Sequence, residues 1–327
     1  LGKTALGAAE GVLAAPAIAQ SMPEVKWRCA SSFPKSLDTI YGGGEFISKR
    51  VAALTDGKFQ IRIFGAGEIV PAFGTVDAVQ QGTVECTHTA GYYFVGKNKT
   101  FAFDTTVPFG MNQRQQNAWM YWGGGLKLQR EFLRDYNIIS FPAGNTGTQM
   151  GGWFKKPVKT VADLKGLKLR MPAAKEWLML GESLGATATP LAFGEVYMGL
   201  KTGTIDAQDN PLSTVRAARF YEVSQQVVLT GHLVDALFLV IQQKTWERLN
   251  PSQQKAVQQA AQAAAQYNND HRLEEEKTIL QQFQKQGLRV TTPDVNAFRT
   301  HVTQHYQSSE MAKSWPAGLL ARIEAVR

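Results

Sequence analysis

The chain has 327 residues, which is long enough for two domains that each bury a hydrophobic core. Hydrophobic residues make up 44% of it and charged residues 19%, a composition typical of folded proteins and not of disordered chains. The formal net charge is +8, but the basic residues are interspersed with acidic ones and form no basic run, which argues against a nucleic-acid-binding protein. After the N-terminus, no stretch approaches the ~18 apolar residues that a membrane-spanning helix needs.

Residues 1–19 have the character of the end of an export signal. Lys3 precedes a segment rich in Ala, Leu and Gly, and Ala17 and Ala19 place small residues at the two positions that signal peptidase reads. We expect the mature protein to begin near Gln20 and to work in the periplasm. The alternative for this segment is a short N-terminal helix.

The first half of the chain alternates strand-like and helix-like segments. Period-two hydrophobic patterns predict the strands, and glycines such as Gly82 end the helices between them. Three consecutive glycines from Gly123 should loosen the middle of one helix. In chain order we predict a strand at 25–32, a helix at 37–54, a strand at 59–64, a helix at 75–81, a strand at 84–89, a helix at 113–136, and strands near 137–141 and 149–155.

The second half continues the alternation and contains one long helix. That helix should begin at Ser252 and end at Gly287, and at 1.5 Å per residue it would be about 50 Å long, more than the diameter of a small domain. Alternation of this kind predicts an α/β fold with mostly parallel sheets. In chain order we predict a strand within 164–172, helices at 175–184 and 195–201, strands at 227–231 and 237–242, and a helix at 252–286.

No Pro- or Ser-rich linker divides the chain, so we expect two lobes that are connected by strands acting as a hinge. The first lobe would comprise residues 20–144 and 232–268. The second lobe would comprise residues 145–231 and 269–327. The long helix would lie across both lobes.

Sequence motifs of common enzymes are missing from the chain. Gly65–Gly67 follows a strand as in a dinucleotide-binding loop, but Val70 replaces the third glycine. No Walker, HExxH, GxSxG or CxxC motif occurs, so we predict that the protein is not an enzyme. Cys29 and Cys86 lie in strand-like segments, and whether they form a disulfide stays open.

Three residues stand in a specific order and context. Arg170 ends a strand just before Pro172, Phe193 lies in PLAFGEVY, and Asn210 lies in GTIDAQDNP. With their surroundings they resemble the extracytoplasmic solute receptors of tripartite ATP-independent periplasmic (TRAP) transporters, the DctP/TakP-like family. The resemblance covers nearly the whole chain after residue 20 and is carried by ASSFPKSLDTIYGG (30–43), FGAGEIVP (64–71), VDAVQQGTVE (76–85), TVADLKGLKLRMP (160–172) and LAFGEVYMGLKTGTIDAQDNP (191–211).

This resemblance implies a two-lobed, periplasmic-binding-protein-like fold that closes on an organic acid. In that family the arginine matching Arg170 binds the ligand carboxylate, the aromatic residue matching Phe193 packs on the ligand, and the asparagine matching Asn210 hydrogen-bonds the acid group. A guanidinium suits this role because it meets a carboxylate with two parallel, charge-assisted hydrogen bonds.

The first half of the chain is most similar to the branch that binds 2-oxo monocarboxylates. In that branch a glutamine matching Gln149 helps to hold a sodium ion and the oxo acid, and a Glu-Trp pair supplies further metal ligands. Asp209 and Asn210 replace that pair here, as in the dicarboxylate and sugar-acid branch. We therefore predict no metal and no cofactor, and keep a cation at Gln149 and Asp209 as the alternative.

Further ligand contacts are expected around this set. No second basic residue stands near Met150, which favours a ligand with one carboxylate. Aromatic side chains would wall an apolar part of the ligand. The additional candidate contacts are Phe33, Tyr92, Tyr93, Trp153, Met171 and His232.

Together these observations predict a receptor that binds a 2-oxo or 2-hydroxy monocarboxylate, such as benzoylformate or mandelate, and delivers it to the membrane subunits of a TRAP transporter. We expect a monomer that binds no nucleic acid. A C4-dicarboxylate or sugar-acid receptor, a ligand-presenting module for a sensor kinase and an organic-acid enzyme are the alternatives.

Overall fold

A computed structural model describes residues 22–102, 109–154, 156–171 and 184–308, with four isolated positions after them. The side chains of residues 150–154, 171, 190, 273, 274, 277 and 306–308 lie outside this description. The predicted export signal at 1–19 and all but the last residue of the helix predicted at 175–184 also lie outside the described residues. None of the described helices is long and apolar enough to cross a lipid bilayer.

The described elements alternate between strands and helices along most of the chain. The strands are β1 (Val25–Ser31), β2 (Phe59–Phe64), β3 (Cys86–Thr89), β4 (Ile138–Phe154), β5 (Lys168–Met171), β6 (Thr187–Pro190), β7 (Ala207–Asn210), β8 (Gln226–Val228), β9 (Leu233–Gln242) and β10 (Arg289–Thr291). The helices are α1 (Asp38–Leu54), α2 (Thr75–Gln80), α3 (Gln113–Tyr121), α4 (Gly125–Arg134), α5 (Val196–Thr202), α6 (Leu212–Ala217), α7 (Gln243–Glu247), α8 (Pro251–Lys285) and α9 (Val295–Ser308).

The strands form one sheet path in the order β2-β1-β3-β9-β4-β7-β5-β6, and β8 joins β4 to β10. Residues 138–149 of β4 pair with β9, whereas residues 150–154 pair with β7 and β8. We call β2-β1-β3-β9 with residues 138–149 of β4 the first lobe, and residues 150–154 of β4 with β5, β6, β7, β8 and β10 the second lobe. The two lobes of the predicted α/β fold therefore meet along one strand.

One expectation about this sheet was wrong. The strands predicted near 137–141 and 149–155 are one continuous strand, because the glycines between them do not reverse the chain. The sheet is mixed: of the nine pairings among the described strands, five are parallel, namely β1 with β2 and β3, β5 with β6 and β7, and β8 with β10. The four antiparallel pairings all involve β4 or β9.

The helix predicted at 113–136 divides into α3 and α4. Gly124 has a left-handed φ of 84°, and a Cβ on Gly123 would lie 2.8 Å from the Cα of Trp119. Only glycine tolerates both conditions without strain. The three glycines thus end one helix and begin another.

Helix α8 joins the cores of both lobes. Its N-terminal half packs Val257 and Ala264 with the first-lobe core around Phe59, and its C-terminal half packs Ile279 and Phe283 with the second-lobe core. This confirms the long helix across both lobes. The helix begins at Pro251, and Asn250 caps it instead of the expected Ser252, since proline fits the first helical position, where its missing N–H is not needed.

Candidate ligand-binding cleft

A cleft of about 410 Å³ lies where the two lobes meet. The first lobe contributes the segment after β1, the two tyrosines after β3 and residues of β4 and β9. The second lobe contributes the ends of β5 and β7 and the start of α6. The lining residues are Phe33, Leu37, Ile40, Tyr92, Tyr93, Thr146, Gln149, Arg170, Phe193, Asp209, Asn210, Pro211, Thr214 and Asp235.

Arg170 is the basic side chain of this cleft. It is only 3% exposed, and its Nε donates a hydrogen bond to the carbonyl oxygen of Leu191 at 3.0 Å. The centre of its guanidinium lies 6.0 Å from the centroid of the Phe193 ring. Burial lowers the pKa of Arg170, while nearby Tyr93 acts in the opposite direction. Among the described residues no carboxylate lies within ion-pair distance of Arg170, although Asp209 and Glu195 are close enough to act on its pKa in the same direction as Tyr93.

Gln149 lies on β4 and is held in one orientation. Its Nε2 donates to Asp235 Oδ2 at 2.8 Å and lies 3.4 Å from Thr146 Oγ1. The backbone N–H of Asp235 donates in turn to Thr146 Oγ1 at 3.1 Å. An ionised carboxylate accepts hydrogen bonds and donates none, so the amide nitrogen of Gln149, and not its oxygen, faces Asp235. Its Oε1 is buried and has no hydrogen-bond partner in the described part of the chain.

Asp209 and His232 form a second buried polar pair beside the cleft. His232 Nε2 lies 3.1 Å from Asp209 Oδ2, and its Nδ1 lies 2.7 Å from Thr230 Oγ1. Asp209 lines the cleft, and His232 supports it through this contact. The other carboxylate oxygen of Asp209, Oδ1, is buried and has no partner within the described residues.

Aromatic residues form the first-lobe wall of the cleft. The ring centroids of Tyr92 and Tyr93 lie 4.6 Å apart, and those of Phe33 and Tyr93 lie 5.8 Å apart. Burial raises the pKa of Tyr92 well above its ordinary value and also raises that of Tyr93, so both hydroxyls are neutral at physiological pH and can donate hydrogen bonds.

The structure brings most of the sequence-predicted residues to one place. His232 lies behind Asp209, and the backbones of Trp153 and Met171 belong to β4 and β5, but their side chains lie outside the described part. The predicted residues that line the cleft are Arg170, Asn210, Phe193, Gln149, Phe33, Tyr92 and Tyr93.

Sequence reasoning missed Asp235 and Thr146. Asp235 is 1% exposed and bonds to the predicted residue Gln149. One signal for it was available, because it is a charged residue inside the otherwise apolar run LVDALFLVIQ, and such a residue needs a buried partner. Thr146 gives no comparable signal.

The two cleft residues that could hold a cation, Gln149 and Asp209, would bind it through oxygen atoms. No group of three or more His, Cys, Asp and Glu side chains in the described residues is arranged to hold a metal ion. Gln149 Oε1 and Asp209 Oδ1 are nevertheless buried oxygens on the same cleft that have no hydrogen-bond partner among the described residues. Amide and carboxylate oxygens are the donors that sodium-like and calcium-like hard cations prefer, so this pair fits a cation whose remaining ligands come from elsewhere.

The sequence is similar to bacterial solute-binding proteins. The family model described as bacterial extracellular solute-binding protein, family 7, matches residues 30–313. A monocarboxylate 2-oxoacid-binding periplasmic protein of Nostoc sp. is 49% identical over 207 residues, which are 61% of this chain and 56% of that protein. The chain thus spans a little over half the length of this curated relative.

Two solved structures are similar over nearly the whole fold. A TRAP transporter solute-binding protein from Bordetella bronchiseptica RB50, with calcium and picolinate in its active site, is 34% identical with a TM-score of 0.84 over 93% of this chain and 92% of the other. A TRAP periplasmic solute-binding protein from Pseudoalteromonas atlantica T6c, with bound sodium and pyruvate, is 31% identical with a TM-score of 0.83 over 93% of this chain and 94% of the other. From the family match and these structures, we conclude that the chain belongs to the family 7 bacterial extracellular solute-binding proteins and is a TRAP transporter solute-binding protein.

Proposed function

We propose that this receptor binds a 2-oxo or 2-hydroxy monocarboxylate in the cleft and delivers it, in the periplasm, to the membrane subunits of its transporter. The observation that carries the proposal is the buried guanidinium of Arg170, which has no ion-paired carboxylate among the residues that the structure describes. A buried charge is strongly unfavourable unless it is paired, so an anionic ligand stabilises this site. The Nostoc relative named for 2-oxoacid binding supports the same ligand class.

One carboxylate fits the charges of the cleft better than two. Arg170 is the one basic residue among the described residues that line it. Arg216 and Arg272 line an adjoining cavity instead. A second ligand carboxylate would find no second basic side chain there, and the cation proposed below is already coordinated by Asp209 and the oxo acid. Desolvation of that carboxylate would therefore cost several kcal/mol, or more than about a hundredfold in affinity.

A cation accompanies a 2-oxo ligand in this proposal. The 2-oxo and carboxylate oxygens of the ligand only accept hydrogen bonds, and so do Gln149 Oε1 and Asp209 Oδ1. Direct contact would therefore repel, whereas a cation between them would be coordinated by all of these oxygens. Gln149 and Asp209 would hold the ion, and the ion would neutralise charge and orient the oxo acid. A 2-hydroxy acid carries its own donor and depends less on the ion.

The site also suggests how binding is reported to the transporter. The aromatic wall belongs to the first lobe, whereas Arg170, Asn210 and Phe193 belong to the second lobe. A ligand that contacts both walls stabilises the arrangement in which the lobes are close together. The membrane subunits would then distinguish loaded from empty receptor by the relative position of the lobes.

A panel of acids tests the proposal. Benzoylformate, mandelate, a branched 2-oxo acid, pyruvate, succinate and malate would be screened by thermal shift and then by calorimetry, in buffers with sodium, with calcium, or with neither. A ligand at 100 times its Kd adds about 2.7 kcal/mol of stability, which raises Tm by a few degrees.

We expect the aromatic and branched acids to bind most tightly, pyruvate next, and succinate and malate least. The 2-oxo acids should need the cation more than mandelate does. Binding of succinate or malate as tightly as any monocarboxylate would contradict the assignment and favour a dicarboxylate receptor. Equal affinities with and without cations would remove the ion from the proposal.

A further inference from the structure

A second polar cavity adjoins the ligand-binding cleft. It measures about 310 Å³ and lies between the start of α1, helix α6 and helix α8. It shares three lining residues with the cleft, namely Leu37, Ile40 and Thr214. Leu37 and Ile40 belong to the first-lobe wall of the cleft, and Thr214 belongs to the second-lobe wall. The two cavities therefore share residues of both walls.

Glu275 of α8 joins the two walls in this cavity. Its Oε2 accepts a hydrogen bond from Thr39 Oγ1 in α1 at 2.9 Å. Its Oε1 accepts one from Arg216 Nη2 in α6 at 2.6 Å. One turn earlier on α8, Arg272 Nη1 donates to Ser213 Oγ in α6 at 3.1 Å. A single carboxylate thus bonds to a helix of each lobe at once.

The two helices that Glu275 connects pack in different cores. Helix α1 places Ile47 and Val51 in the first-lobe core, and α6 places Leu212 and Val215 in the second-lobe core. Both of its bonds require that the start of α1 and helix α6 lie against α8 at the same time. Leu37 and Ile40 flank Thr39, and Thr214 is two residues before Arg216, so the same contacts fix the distance between the two walls of the cleft.

We infer that Glu275 is a positioning residue that stabilises the ligand-bound arrangement of the lobes without contacting the ligand, an inference that rests on the proposed function. Glu275 stabilises the arrangement in which the lobes are close together, with or without a ligand, whereas the ligand enters before the lobes reach that arrangement. Loss of Glu275 should therefore accelerate dissociation and leave association nearly unchanged.

Glu275→Ala tests this inference, with the cation-supplemented 2-oxo acids benzoylformate and pyruvate as probes. We expect the affinity to fall about tenfold, the dissociation rate to rise by about the same factor, and the association rate to stay within about twofold. Arg216→Gln should produce a similar effect, and the double variant should be no worse than either single variant, since both remove the same bridge.

Glu85→Ala is the matched control. Glu85 accepts a 3.0 Å ion-pair contact from Arg28, and the two side chains are 25% and 52% exposed, close to the 24% and 39% of Glu275 and Arg216. Both Arg28 and Glu85 belong to the first lobe, so their loss should lower Tm without changing the dissociation rate. Equal dissociation rates in Glu275→Ala, Glu85→Ala and the parent protein would reduce Glu275 to an ordinary stabilising residue and overturn the inference.

A distance measurement gives a second readout. Spin labels on Ile69→Cys and Met198→Cys would report on one exposed position in each lobe, since these residues are 42% and 54% exposed while the native Cys29 and Cys86 are buried. With saturating probe, Glu275→Ala should show a longer-distance population that the parent protein lacks. Identical distributions would contradict the inference.

The two proposals fail in different ways. If none of the six acids binds the parent protein, the proposed function fails. The label distances without any acid then decide the role of Glu275: a longer distance in Glu275→Ala than in the parent protein supports it, and an unchanged distance overturns it.

Discussion

Substitution of Arg170 tests whether this side chain binds the carboxylate of the ligand. In Arg170→Ala the carboxylate of the ligand would enter a buried site without its cationic partner. In Arg170→Lys the charge remains, but an ammonium cannot donate two parallel hydrogen bonds to a carboxylate. The lysine would also lack the Nε–H that donates to the carbonyl oxygen of Leu191 at 3.0 Å and fixes the arginine.

The expected magnitudes follow from this geometry. Removing one partner of a buried charge pair costs about 3 to 5 kcal/mol, so Arg170→Ala should weaken binding by a factor of roughly 10² to 10³ or more. Loss of one charge-assisted hydrogen bond costs about 1.5 to 3 kcal/mol, so Arg170→Lys should weaken binding roughly 10- to 150-fold. Both variants should fold, because within the described part of the chain Arg170 is ion-paired with no carboxylate that its loss would leave without a partner.

Calorimetric titration with the best-binding acid measures both losses, and Arg130→Lys is the control. Arg130 also donates from Nε and Nη2 to one carbonyl oxygen, that of Ser140 at 3.1 and 3.0 Å, and lies 4.8 Å from the Phe141 ring centroid. It does not line the cleft. Arg130→Lys should reduce Tm and leave the affinity within about twofold. Affinity of Arg170→Lys equal to that of the parent protein would refute the reasoning.

Three further outcomes are expected. His88 is fully buried and has no hydrogen-bond partner in the part of the chain that the structure describes, and burial lowers its pKa to about 4. As pH falls, this histidine is therefore protonated in the unfolded chain before it is protonated in the folded protein, and acidification from pH 7 to 4.5 should lower the free energy of unfolding by roughly 2 kcal/mol through His88. Urea titrations at the two pH values should show that His88→Leu lacks this loss. The same pH dependence of stability in His88→Leu and the parent protein would contradict the prediction. Gln149→Leu should abolish the dependence of pyruvate binding on sodium or calcium in calorimetry, and persistence of that dependence would place the ion elsewhere. Phe193→Ala should weaken benzoylformate binding by about tenfold and pyruvate binding less, because the lost ring contacts the larger ligand more; equal losses would argue against that contact.

The residues that sequence reasoning found are those fixed by local patterns. Arg170 is the second-last residue of β5, which ends just before a proline, and Asn210 is the last residue of β7. Because β5 and β7 run parallel, both residues lie at the same edge of the sheet. The long helix was predictable because its composition, its capping residues and Gly287 after its end are all local signals.

The Gln149–Asp235 network could not be found in the same way. It depends on how β4 and β9 pair, and that pairing shifts register between Pro142 and Gly144 and again between Asn145 and Thr148. Each irregularity changes which side chains face the cleft, and no single segment encodes it.

The glycines of β4 show why one long strand was predicted as two. In the sequence, Gly144 and Gly147 suggest a turn between two strands. In the structure they have φ values of 131° and 80°, a conformation that favours glycine. In the fold they allow close packing of β4 against α8, since a Cβ on Gly144 would lie 2.7 Å from Asn268 and one on Gly147 would lie 2.8 Å from Arg272. The requirement for glycine comes from a tertiary contact, which the sequence pattern does not contain.

A crystal structure of the receptor with the 2-oxo acid that binds most tightly tests the central claim most directly. We predict that the ligand carboxylate lies in the cleft, with two guanidinium nitrogens of Arg170 at about 2.7 to 2.9 Å from its oxygens. A cation should contact Gln149 Oε1, Asp209 Oδ1 and the 2-oxo and carboxylate oxygens of the same ligand. A ligand carboxylate bound instead in the adjoining cavity, against Arg216 and Arg272 and out of reach of Arg170, would contradict the account.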